Sequence, residues 1–340
     1  MAETSASTEI AVRLRPLPTG IERELRTAVL LLLLAVVIVL ASRFLGPGFG
    51  TLRQIQAILV IASFTMVASF GQQMVILIGG LDLSVGSFVT LGGILAFAWI
   101  GPNGWSLVWG IPAVLIVTGA IGALSGVGVA FLRIPPFIMT LAMGIIVYGV
   151  VLGVTGGLPR GHASPALGWL FHPNRLGPPP VIYLMILFTI FGTLLQTRTA
   201  FGRKVYALGS SPRAAYVAAI PVRGLTVACY AIGAAAGGAT GIMVVGYVGG
   251  ATLMMGQSYL LPSIAAVVVG GTAITGGRGI FLGAVGGAVL LTALSTIISS
   301  LGIAEGWRNI IYGVVILIAL ILLRDGIGLW LRPGRRRAQS

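Results

Sequence analysis

The chain has 340 residues, 57% of them hydrophobic and only 8% charged, with a mean hydropathy of +1.04. Soluble domains carry about 25% charged residues, so this composition excludes a water-soluble globular protein and makes lipid the solvent. The formal charge of +14 is read as membrane orientation and not as a nucleic-acid surface, because cytoplasmic loops of membrane proteins are enriched in Lys and Arg.

A bilayer core about 30 Å thick takes roughly 20 apolar residues per helix. Ten apolar runs approach that length, at about 27–45, 55–78, 85–100, 107–131, 137–155, 180–196, 225–249, 260–276, 280–303 and 308–323. They are continuous rather than alternating, which argues against strands. The first is read as a retained helix and not a cleaved signal, because its apolar part is long and nine more runs follow. Ten spans put both termini on one side, where 16 of the 21 Lys and Arg fall; the other 5 are Arg43, Arg53, Arg160, Arg175 and Arg308. Both termini are therefore expected in the cytoplasm. The expected fold is an all-α polytopic membrane protein of about ten transmembrane helices: a cytoplasmic tail over 1–26, a membrane domain over 27–323, and a basic cytoplasmic tail over 324–340.

Two connections are long. The external one, about 156–179, holds His162, His172, Trp169 and a Gly-Pro-Pro-Pro run at 177–180. Two histidines with no third ligand nearby read as part of a Pro-braced loop, so no metal site is expected. Cys229 stands alone, which removes any intrachain disulfide. The cytoplasmic connection, about 197–224, reads TRTAFGRKVYALGSSPRAAYVAAIPVRG. Within it Ser211 is placed to cap a short helix, Pro212 to occupy its first position and Pro221 to end it. Such a helix of about nine residues is too short to be stable unless it packs on something. From the residues alone it is either a docking peg for a soluble partner or an amphipathic helix lying on anionic lipid, aided by Arg203, Lys204 and Arg213.

The segment GGLDLSVG (79–86) joins the second and third runs and carries Asp82. Asp82 and Ser84 can accept hydrogen bonds from the first amides of a helix starting near Val85, where the helix dipole favours an anion. A helix-start anchor and a direct role at the inner mouth of a pathway both stay open for Asp82. The later segment GGRGIFLG (276–283) echoes it with the same glycine spacing. The glycines Gly233, Gly237, Gly238 and Gly241 read as helix-packing positions.

No energy source is legible. The single lysine, Lys204, lacks the glycine context of a P-loop. Of the seven acidic residues only Asp82 lies away from the tails and outer turns. One aspartate makes a poor ion relay, because coupling usually places several acids within the membrane. An integral-membrane enzyme would need a His/Asp/Glu cluster that the runs do not supply, so no catalytic residue is expected. The remaining alternative is an ion-gradient-driven secondary transporter or channel for a small polar solute.

Three stretches, GGLDLSVGS (79–87), RIPPFIMTLAMG (133–144) and FGRKVYALGSSPRAAYVAAI (201–220), resemble the permease subunit of bacterial ABC importers for monosaccharides, the ribose, xylose and galactose group. The resemblance covers about residues 50–325. It implies that the third stretch engages an ATPase subunit, with Gly202, Arg203, Gly209, Ser211, Pro212, Arg213, Ala214 and Ala215 at that contact. Here the chain departs from the usual pattern: Ser211, Arg213 and Ala219 stand where the family commonly has Asn, an acidic residue and Gly. The resemblance further implies a multi-pass subunit of the bacterial cell (inner) membrane that pairs with a second permease chain, identical or not. An ATP-binding subunit, tandem in form, would carry ATP and Mg, so that no cofactor sits in this chain. An extracytoplasmic binding protein would deliver the sugar. For the pathway of a neutral polyhydroxylated solute the residues offered are Gln72, Gln73, Asp82, Ser84, Thr140 and Asn309, with Ser63, Thr65, Ser69, Thr90, Tyr148, Thr272 and Tyr312 as further hydrogen-bonding groups.

Overall fold

The computed structural model describes residues 19–46, 48–101, 106–172 and 177–323. Most of the tail read over 1–26, the tail over 324–340 and Arg175 lie outside the described residues. Among those described, every element is helical: α1 (Thr19–Ala41) with a short 3-10 turn after it, α2 (Leu52–Leu77), α3 (Val85–Trp99), α4 (Leu107–Ala130), α5 (Pro136–Thr155), α6 (Pro165–Trp169), α7 (Pro180–Arg198), α8 (Ala200–Ser210), α9 (Pro212–Val217), α10 (Val222–Val248), α11 (Gln257–Val269), α12 (Phe281–Ser300) and α13 (Glu305–Leu323).

Seven of these helices are long and apolar enough to cross a membrane: α1, α2, α4, α5, α7, α10 and α12. Helices α3 and α11 are apolar but have only 15 and 13 residues. At 1.5 Å per residue they reach about 22 and 20 Å, short of the ~30 Å core. The glycine-rich segment 78–84 leads into α3 and segment 270–280 follows α11. Protein covers this irregular backbone: Asp82, Ser84 and Thr272 are all buried.

The centre of the bundle is α10, packed against α4, α3 and α2. Small residues let these backbones approach. Gly233 faces Gly71, Gly237 faces Phe88, Gly238 faces Thr118, and Gly241 faces Val89 and Gly93, as their spacing led one to expect. At Gly126 an added Cβ would stand 2.6 Å from the Cα of Val227. The outer helices turn large apolar side chains outward, among them Ile145, Ile146 and Val150 on α5 and Leu187, Ile190 and Phe191 on α7. Only lipid or another apolar surface can cover such faces.

The structure departs from the sequence reading in three places and adds a fourth observation. Helix α11 stops at Val269, although the apolar run was read to 276, because Gly271, Gly276 and Gly277 take φ of +90°, +88° and +74°. Helix α1 starts at Thr19, inside the segment read as a tail. The connection over 197–224 holds a second helix, α8, that was not expected, and α9 has 6 residues and ends at Val217, before Pro221. Finally, the two segments with matching glycine spacing lie against each other: the Gly277 amide donates to the Leu77 carbonyl at 2.9 Å.

Connections on the same predicted side also meet. Arg223 at the start of α10 lies over the Phe131 ring at the end of α4, 5.3 Å from its centroid. At the opposite end the His162 amide donates to the Phe97 carbonyl at 3.2 Å, and His172 stacks on Tyr247.

Candidate functional site

Three features combine polar groups with covered backbone. The first is a junction at the end of α2. Gly209 and Ser210 of α8 lie against Leu77 and Gly277, and Gly276 lies against Gly79. No side chain fits between these strands of backbone. Tyr206 of α8 donates from its hydroxyl to the Gly279 carbonyl at 2.6 Å. Just inside the junction runs a chain of amide side chains. Gln196 of α7 accepts from the Phe281 amide at 2.7 Å and donates to Gln73 Oε1 at 3.2 Å, and Gln73 Nε2 donates to Thr272 Oγ1 at 2.9 Å. Gln73 and Thr272 are fully buried and Gln196 nearly so. An amide carries both a donor and an acceptor, so two glutamines can link three helices without any charge.

The second feature is the Asp82 turn. Asp82 Oδ1 accepts from the Ser84 amide at 2.8 Å and from the Ser84 hydroxyl. The carboxylate thus closes the loop just before α3 and does not reach the helix's own first amides, where the sequence had placed it. Thr140 of α5 holds the same loop: its Oγ1 accepts from the Leu83 amide at 3.1 Å and reaches the carbonyls of Leu81 and Pro136 at 3.3 and 3.0 Å. Ser87 donates to the Gly144 carbonyl at 2.8 Å. Asp82, Ser84 and Thr140 are therefore gathered by hydrogen bonds around one loop. Tyr230 of α10 faces the turn, and a Cβ on Gly80 would stand 2.7 Å from its hydroxyl.

The third feature is a cavity of about 570 Å³ between α2, α11, α12 and α13. Its lining includes Thr65, Tyr259, Thr292, Ser295, Thr296, Ser299, Ser300, Arg308, Asn309 and Tyr312. The α12 hydroxyls recur at helical spacing, so they form one polar stripe. Arg308 Nη1 donates to Ser295 Oγ at 3.4 Å. Among the described residues that line the cavity, hydroxyls dominate and Arg308 is the charged group.

Of the residues offered for a pathway, Thr65, Asn309 and Tyr312 line this cavity; Gln73, Asp82, Ser84 and Thr140 are engaged inside the protein and are not among its lining. Gln72 is fully buried and neither atom of its amide is bonded to another group. Of the residues offered for the ATPase contact, Arg203, Pro212, Arg213 and Ala214 are exposed, Gly209 and Ser211 half-buried, and Gly202 and Ala215 buried. Ser211 caps α9 as expected, accepting from the Ala214 amide at 3.2 Å. Sequence reasoning missed Gln196, which looked like one polar residue at a helix end, and the exposed Tyr216 and Val217 beside Arg213. It also missed the α12 stripe, whose signal was present as Thr and Ser at 292, 295, 296, 299 and 300.

The family model described as a branched-chain amino acid transport system permease component matches residues 54–320. The ribose import permease protein RbsC of Escherichia coli is 34% identical over 296 residues, covering 86% of this chain and 92% of that protein. The protein of the same name in Bacillus subtilis is 32% identical, over 85% of this chain and 90% of its own length. The galactose/methyl galactoside import permease protein MglC of Escherichia coli is 30% identical, over 86% and 91%. No solved structure matches the chain. With its seven long apolar helices and a match across most of its length, the chain belongs to this family of ABC-importer permeases, as a multi-pass membrane subunit that transports and is not an enzyme.

Proposed function

We propose that the chain forms the translocation path of an ATP-driven importer for a monosaccharide or related polyol. The observation that carries the substrate class is the hydroxyl-lined cavity. Its volume of about 570 Å³ falls within the ~300–1,000 Å³ of small-ligand sites. The name of the matched family model points to amino acids, but an amino acid presents an ammonium and a carboxylate together, and burying both calls for partners of both signs. The described lining is instead carried mainly by hydroxyl groups, with Arg308 already bonded to Ser295. A neutral polyhydroxylated solute needs the donors and acceptors that serine, threonine, asparagine and tyrosine supply. The names of the ribose and galactose relatives agree with that choice.

The fold supports ten membrane crossings with both termini in the cytoplasm: α3, α11 and α13 join the seven long helices, and connections of the same expected side meet at the same end. On that arrangement α8 and α9 face the cytoplasm. Arg203, Arg213, Ala214, Tyr216 and Val217 present a mixed basic and apolar surface there, which suits a separate ATPase subunit holding ATP and Mg. A second permease chain and an extracytoplasmic binding protein complete the importer in the bacterial cell membrane.

The test is uptake in vesicles that contain the chain with its ATPase and binding-protein subunits, using labelled D-ribose, D-galactose and L-leucine. ATP-dependent accumulation of a sugar and not of leucine is expected. Accumulation of leucine, or of sugar without the ATPase, overturns the reading.

A further inference from the structure

The bridge of Gln196 and Gln73 does more than fill polar capacity. Thr199 separates α7 from α8; its hydroxyl donates to the Leu195 carbonyl at 2.5 Å and accepts from the Gly202 amide at 3.1 Å. The start of α8 lies tightly on the Gln196 carbonyl, with no room for a Cβ at Gly202. The end of α7 and the cytoplasmic helices are thus one stiff corner, and Gln196 projects from it. Its side-chain carbonyl holds the first amide of α12, a helix whose own N-cap residue, Ile280, contributes no side-chain bond. Through Gln73 the same bridge reaches Thr272, so both ends of segment 272–281 are tied to the corner. Helix α12 then runs about 17–29 Å, at 1.5 Å per residue, from Phe281 to the hydroxyl stripe that lines the cavity. A helix is a rigid element over that distance, and packed interiors shift between discrete arrangements rather than deforming smoothly.

We propose that Gln196 and Gln73 are positioning residues that transmit displacement of α8–α9 to α12, and through it to the cavity wall. The inference rests on the permease reading above. A buried pair placed only for stability would hold two helices together. This pair joins the cytoplasmic corner to the N-terminus of the one helix that carries five of the cavity's hydroxyl residues.

The experiment places an environment-sensitive fluorophore at Ser300→Cys, in the cavity wall, in permease reconstituted into nanodiscs with its ATPase subunit. Cys229 is fully buried and stays. The native joint is expected to give a fluorescence change on adding ATP. Gln196→Met, close in length but with neither donor nor amide acceptor, is expected to reduce that change about fivefold or more, the lower range of coupling between linked sites. ATPase binding, measured separately, is expected to stay unchanged. Gln73→Met breaks the same bridge from its other end and serves if Gln196→Met does not fold. The double variant is expected to be no worse than Gln196→Met alone, because the two act as one unit. An undiminished ATP response in either folded variant overturns the proposal, as does the absence of any response in the native joint with ATPase bound. Failure of the ATPase to bind the native permease overturns the permease reading instead.

Discussion

The junction around Gly209 makes a quantitative prediction. A Cβ added there would stand 1.8 Å from the Leu77 carbonyl oxygen and 2.5 Å from the Gly277 nitrogen, whereas atoms in contact prefer about 3.5–4.0 Å. Gly209→Ala must therefore push α8 away from the two glycine segments by roughly 1.5 Å or more. The Gly277–Leu77 hydrogen bond, 2.9 Å long, lies directly in the way. Breaking it costs about 1–3 kcal/mol, and the accompanying overpacking about 1–3 kcal/mol. Alanine's better helix propensity returns only about 1 kcal/mol. The net expectation is a loss of about 1–5 kcal/mol. Gly224→Ala is the control, because nothing lies within 4 Å of its added Cβ and propensity alone should act. Thermal melts of both variants in nanodiscs decide the matter: Gly209→Ala should melt clearly below the parent and Gly224→Ala at or above it. A Gly209→Ala protein as stable as the control would refute the close-packed junction.

Ala219 has φ of +57°, in the left-handed region that costs a non-glycine residue about 1–2 kcal/mol. Ala219→Gly should raise the melting temperature, by a net of about 0.5–1 kcal/mol after the greater freedom of the unfolded glycine is counted. For Asp82, asparagine retains the oxygen that accepts from the Ser84 amide, so Asp82→Asn should change stability by less than about 1 kcal/mol, while Asp82→Ala should lose about 1–3 kcal/mol; equal losses in melts would remove the turn-closing role. Ser295→Leu should fill part of the cavity and abolish sugar uptake in vesicles while leaving the melt close to the parent's. Unchanged uptake would take the cavity out of the pathway.

The sequence made the membrane class plain because burial in lipid leaves a continuous apolar signature that needs no partner to be read. Boundaries were less legible where glycine intervened: α11 ended at Val269 even though apolar residues continue past it, since backbone geometry and not hydropathy stops the helix. The cap at Ser211 could be read because capping is local, resting on residues three apart. Gln73 and Gln196 were a different matter. One looked like a pathway residue and the other like nothing at all, because their hydrogen bonds join positions 123 apart, and no local pattern records such a pairing. The same holds for Asp82, whose second support, Thr140 on the Leu83 amide, comes from 57 residues away. The α12 stripe was the one missed feature with a local signal, visible as hydroxyl residues at helical spacing inside an apolar run.

The bond between Gln73 and Thr272 spans 199 residues, and this matters for how the protein is made. Translation at about 5–20 residues per second leaves the second helix waiting roughly 10–40 s before its acceptor is synthesised. Until Gln196 and then Thr272 are made, the Gln73 amide and the Leu77 carbonyl sit in a half-built bundle, where unmatched polar groups are costly. Biogenesis should therefore depend on an insertase or holding factor that shelters this helix until the eighth hydrophobic segment arrives. Chains truncated before residue 272 should be found by membrane proteases rather than accumulate.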